Sequence, residues 1–114
     1  MKAVIRILLL AVLLTSCSGG YPRVTVVNAG GGPLSQVVVT LEEGTSYTIG
    51  NLDAGEETTI VVEPRGESDV TLDYTDDSGE TRSVSGGYIE EVGDYHLILT
   101  VRGDGGVDFE NTFD

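Results

Sequence analysis

Nineteen carboxylates, one histidine and one cysteine are the side chains of this sequence best able to do chemistry, and their spacing limits what they can do. Asp73, Asp76, Asp77 and Glu80 gather around one turn, and Asp104 and Asp108 around another. Hard oxygen ligands on loops suit calcium, but neither group has the spacing of a helix-flanked calcium loop. The competing reading is a pair of solvated turns on an acidic surface. His96 is the sole histidine, so a Ser-His-Asp hydrolase would have to be built on it with Ser78, Ser83 or Ser85. None of those serines lies in a nucleophile-elbow sequence, and His96 alternates with apolar residues, which puts it on a solvent face. Paired carboxylates could serve a glycosidase, yet there is no tryptophan and only five tyrosines. Tyr47, Tyr74 and Tyr95 fall in phase with core positions; Tyr21 and Tyr88 do not. Zinc sites of the histidine or thiolate kind fail the same count. The expectation is no catalytic residue, no cofactor and no enzymatic activity.

The elements that must position these residues are strands. Beyond Ser16 there are thirteen valines and eleven threonines but two alanines and no lysine or methionine. That composition disfavours helices and suits pleated surfaces. Period-two alternation predicts strands over Arg23–Asn28, Gln36–Glu42, Ser46–Leu52, Glu57–Glu63, Asp69–Thr75, Glu80–Ser85 and Tyr95–Arg102, with a short run Val107–Phe109 pairing with the last. Val70, Leu72 and Tyr74 then face inward, as do Leu97, Leu99 and Val101. Asp76-Asp77-Ser78-Gly79, Asp53-Ala54-Gly55 and Gly103-Asp104-Gly105-Gly106 supply the turns. Seven or eight short strands in about 98 residues indicate an all-β, antiparallel sandwich over 23–110, with 111–114 as a tail and a small closed barrel as the alternative.

The first 17 residues are of another kind. Lys2 and Arg6 precede an apolar run, Ile7 to Leu14, then small residues and Cys17, the order of a secretory signal peptide. Leu14-Thr15-Ser16-Cys17 resembles the lipobox of bacterial lipoproteins. The resemblance implies a signal peptide over 1–16, lipid on the Cys17 thiol and on its new amino group, and a short tether over 17–22. In Gram-negative members an aspartate after the cysteine favours inner-membrane retention. Ser18 stands there instead, which implies the outer membrane. Removal of Lys2 and Arg6 leaves four arginines against nineteen carboxylates, a net charge of −15 where the whole chain carries −13. Such a surface repels nucleic acid and anionic headgroups. With one cysteine, no intramolecular disulfide can form.

The stretch Asn28 to Leu34, followed by Ile49-Gly50-Asn51-Leu52-Asp53-Ala54-Gly55-Glu56, is similar to bacterial immunoglobulin-like modules of the adhesion-related and FxLYD type. The likeness implies an immunoglobulin-like sandwich and carries no active-site residues. The resulting expectation is a lipid-anchored, non-catalytic module that binds a protein partner or assists envelope assembly. The alternative is a cation- or small-ligand-binding sandwich using Asp73, Asp76, Asp77 and Glu80.

Overall fold

The computed structural model describes residues 21–91 and 94–113. The signal peptide over 1–16, Cys17, Ser18 and the terminal Asp114 lie outside the described residues. Eight strands follow one another: β1 (Arg23–Ala29), β2 (Leu34–Leu41), β3 (Ser46–Leu52), β4 (Glu57–Val61), β5 (Ser68–Thr75), β6 (Thr81–Ile89), β7 (Tyr95–Arg102) and β8 (Val107–Phe113). They form two four-stranded sheets, ordered β4-β1-β7-β8 and β3-β2-β5-β6. The sequence pattern therefore gave the all-β sandwich, with β3 and β7 at their expected bounds.

Connectivity is where the structure adds most. β1 lies between β4 and β7 and runs parallel to β7, with Val24 opposite Leu97 and Val26 opposite Leu99. Every other pair is antiparallel. This order differs from the ABED and CFG sheets of an immunoglobulin constant domain. β8 also runs beyond Phe109 to Phe113, pairing Glu110 with Ile98 and Thr112 with His96. Most of the expected tail is thus an edge strand. β6 likewise continues through Gly86-Gly87-Tyr88-Ile89.

The alternation holds because one face of each sheet is sealed against the other. Val24, Val26, Val37, Val39, Val70, Leu72, Leu97 and Leu99 are fully buried and form one apolar cluster. Close packing needs local accommodation in two places. At Gly87, φ is +74°, and a Cβ there would meet Leu97 Cδ2 at 2.8 Å and Phe109 Cδ2 at 3.1 Å. A glycine is required on both counts. In β2, Gln36 takes a φ of 51° where the register against β5 slips by one residue. The bulge lets Leu34 re-enter the core beside the β1–β2 loop.

Alternation fixes which connections share an end. The β1–β2, β3–β4, β5–β6 and β7–β8 turns all lie at one end, called here the loop end. Pro22, where the described chain enters β1, lies at the other with the β2–β3, β4–β5 and β6–β7 connections.

Candidate functional site

A buried amide organises the loop end. Asn28, 1% exposed at the close of β1, donates from Nδ2 to the carbonyls of Gly32 (2.9 Å) and Leu52 (3.0 Å). Its Oδ1 accepts from the Gly30 N–H at 3.0 Å. Its main chain bonds the β3–β4 turn on both sides, donating to Glu56 O and accepting from Gly55 N. One side chain therefore ties the glycine run to the end of β3. Its place as the last polar residue of a valine strand was the signal available in the sequence.

The two acidic turns are each built around an arginine. Asp76 Oδ1 accepts from Ser78 Oγ (2.6 Å), Ser78 N (3.0 Å) and Glu80 N (3.0 Å). Its Oδ2 accepts from Arg82 Nε at 2.9 Å, while Arg82 Nη2 donates to Glu80 Oε1 at 2.9 Å. The Ser78 hydroxyl and then Arg82 hold the Asp76 carboxyl far below the usual carboxylate range. Gly79, at φ +89°, supplies the left-handed residue expected in this turn. In the β7–β8 turn, Asp104 Oδ1 accepts from Gly106 N (2.9 Å) and Arg102 Nε (3.2 Å). Arg102 Nη1 donates in turn to Asp108. The Gly106 N–H, with Arg102, lowers the Asp104 pKa.

Between these turns and the glycine run lies a cavity of about 230 Å³. Gly30, Gly31 and Gly32 line one side, Asp76, Asp77 and Arg82 another, and Arg102 to Gly105 a third. Tyr74 contributes to the wall at the level of the core. It is 2% exposed, and its hydroxyl is closed off from solvent with no hydrogen-bond partner among the described residues. Burial raises its pKa, opposed by the charge of Arg82.

The structure thus brings Asp76, Asp77 and Arg82 to the cavity and Glu80 to the adjoining turn. Asp73 is a mid-strand residue opposite Val38 and Ser83, on the outer face of its sheet. No group of three or more His, Cys, Asp or Glu among the described residues is arranged to hold a metal ion. His96 lies on the outer face of its sheet, as expected, and is half-buried there, with Nε2 2.7 Å from Thr25 Oγ1, itself 2.7 Å from Thr59 Oγ1. This polar line crosses β7, β1 and β4 on an outer sheet face, away from the cavity. Desolvation, then Arg23, lowers the His96 pKa. Tyr88 packs edge-on against Tyr95, ring centroids 6.0 Å apart, and its hydroxyl donates to Glu90, which raises the Tyr88 pKa.

No protein-family model and no curated protein matches this chain. It is similar to the NMR structure of a protein from Eubacterium rectale, at 15% identity and a TM-score of 0.55, over 83% of this chain and 91% of that one. At that identity the likeness is one of fold, and what the two chains share is the β-sandwich.

Proposed function

We propose that the chain is a lipid-anchored, non-catalytic binding module that holds its loop end away from the membrane for a protein partner of the cell envelope. The observation that carries this reading is the placement of the two ends. The chain enters β1 through Pro22, while the glycine run, both arginine-centred turns and the cavity lie at the opposite end. With lipid on Cys17, the segment to Arg23 reaches at most about 20 Å. Strands of seven or eight residues then set the loop end roughly 25 Å beyond that point. The Ser18 that follows Cys17 favours the outer membrane. A non-catalytic role is supported by His96, which is committed to Thr25 on an outer sheet face. The acidic turns do not favour a cation, because hydrogen bonds within its own turn and to Arg82 occupy both Asp76 oxygens.

The test is site-specific photocrosslinking in intact cells. Crosslinkers replace the exposed Asp53 or Ser78 at the loop end and the exposed Glu43 or Arg65 at the tether end. Discrete adducts from the loop-end positions alone are expected. Adducts from the tether end alone, or from neither, overturn the reading.

A further inference from the structure

We propose that the loop-end cavity binds a neutral, hydroxyl-rich ligand the size of one sugar ring, with the Tyr74 hydroxyl as its deepest anchor. The inference rests on the reading of the loop end as the working face and adds the chemical class of what enters it.

Three observations converge. The first is the unpartnered hydroxyl: Tyr74 is 2% exposed and lines the cavity, and its Oη bonds to nothing among the described residues. Buried polar groups are normally hydrogen-bonded, so an orphan just behind a cavity wall marks where an absent partner belongs.

The second is the charge balance of the wall. Asp76, Asp77 and Asp104 line it with Arg82 and Arg102, and each arginine is paired again just outside the wall, Arg82 with Glu80 and Arg102 with Asp108. An anion meets an excess of negative charge here, on a chain that already carries −13. A cation meets two guanidiniums, and the Asp76 carboxylate oxygens are already engaged. An uncharged ligand escapes both penalties.

The third is the mixture of remaining hydrogen-bonding groups. The Gly31 and Gly32 N–H groups and Arg82 Nη1 make no hydrogen bond among the described residues and are donors. Asp77 is an acceptor, and a tyrosine hydroxyl is both. A hydroxyl donates and accepts, so a ring of hydroxyls can answer all of them. Within the glycine run Gly31 is open, with nothing within 4 Å of where a Cβ would stand, while the Asp77 carboxylate packs against Gly32. At about 230 Å³ the space lies below the range of larger ligand sites and restricts the occupant to a single ring. Since Oη is closed off from solvent, entry requires a neighbour to move.

The experiment titrates the full-length lipidated protein, in micelles of a sugar-free zwitterionic detergent, with three probes of equal size: glucose, glucuronate and glucosamine. Binding is read from the backbone amide resonances of Gly30 to Gly32 and Tyr74. Saturable glucose binding at about 1–10 mM is expected from a ligand of this size. The two charged analogues should bind about fivefold or more weakly, and Tyr74→Phe should weaken glucose by a similar factor without lowering the melting temperature, since it removes a buried group that has no partner. No saturable shift, preference for a charged analogue, or equal binding by Tyr74→Phe overturns the proposal. So does a lowered melting temperature in Tyr74→Phe, which would give the hydroxyl a structural partner such as a buried water. Loop-end crosslinks without sugar binding overturn this proposal alone; sugar binding without crosslinks overturns the protein-partner reading alone.

Discussion

Arg82 Nε donates to Asp76 Oδ2 at 2.9 Å, so the one arginine of β6 clamps the residue that opens the turn leading into it. The same carboxylate accepts three further hydrogen bonds from within the turn.

This clamp gives the turn a pH dependence of definite sign. The Asp76 carboxyl in the folded chain lies below its ordinary 3.8, so the unfolded chain binds the proton first. The stabilisation is complete above about pH 4 and is lost as pH falls through the folded value. Asp76→Asn, which removes the charge and keeps an acceptor, should melt a few degrees lower than the parent at neutral pH. The gap should narrow below pH 4, as thermal melts across pH would record. A gap independent of pH would mean that the charge has no part in the clamp.

Asn28 should matter more than any other polar residue of the loop end. Asn28→Ala leaves the Gly32 and Leu52 carbonyls and the Gly30 N–H without their partner. The expected cost is about 1–3 kcal/mol by denaturant unfolding, the usual penalty for stranding buried groups. Faster amide exchange at Gly30 and Gly55 should accompany it.

The core should separate sharply from the outer faces. Leu72 and Leu99 are fully buried on facing sheets, and truncating either to alanine should cost about 2–5 kcal/mol. Thr71→Ala, beside an exposed Thr71–Ser85 bond, and Thr100→Ala should change stability by about 0.5 kcal/mol or less. Denaturant midpoints of the four variants, taken with unchanged m-values, measure this.

His96 should titrate below the ordinary 6.5 of histidine, since burial and Arg23 favour the neutral ring. Its contribution to stability is full above pH 6.5 and declines as pH falls through the folded value. An imidazole NMR titration gives the value directly. Thr25→Val, which removes the hydroxyl beside Nε2, should perturb both its midpoint and its ring shifts.

Cys17 should begin the mature chain and carry acyl groups. Intact mass of the protein extracted from membranes should exceed that of residues 17–114 by the added lipid, and Cys17→Ala should accumulate uncleaved precursor. An unmodified Cys17 within a longer chain would refute the anchor.

The strands were legible because each is sealed on one face. Val70-Thr71-Leu72-Asp73-Tyr74 alternates in burial as it alternates in polarity. Alternation is silent about neighbours, however. Nothing in β1 distinguishes a partner running parallel from one running antiparallel, so the β1–β7 pairing came only with the structure. β8 was cut short at Phe109 because Glu110-Asn111-Thr112 carries no apolar signal, and an edge strand needs none. Tyr74 was correctly placed inward, but period two says nothing about where its hydroxyl ends. The cavity joins three loops distant in sequence, and no local pattern encodes that meeting. His96 was placed on the correct face, but its bond to Thr25, on another strand, has no local signal in the sequence.

The position of β1 has a mechanical meaning. It is hydrogen-bonded on both sides, to β4 and to β7, rather than hanging at a margin. A pull on the chain ahead of Tyr21 is directed along β1, so it strains both ladders in shear. Many hydrogen bonds then resist together, where a marginal strand would peel one bond at a time. A domain drawn at its loop end and held at its entry would transmit that tension through the middle of a sheet.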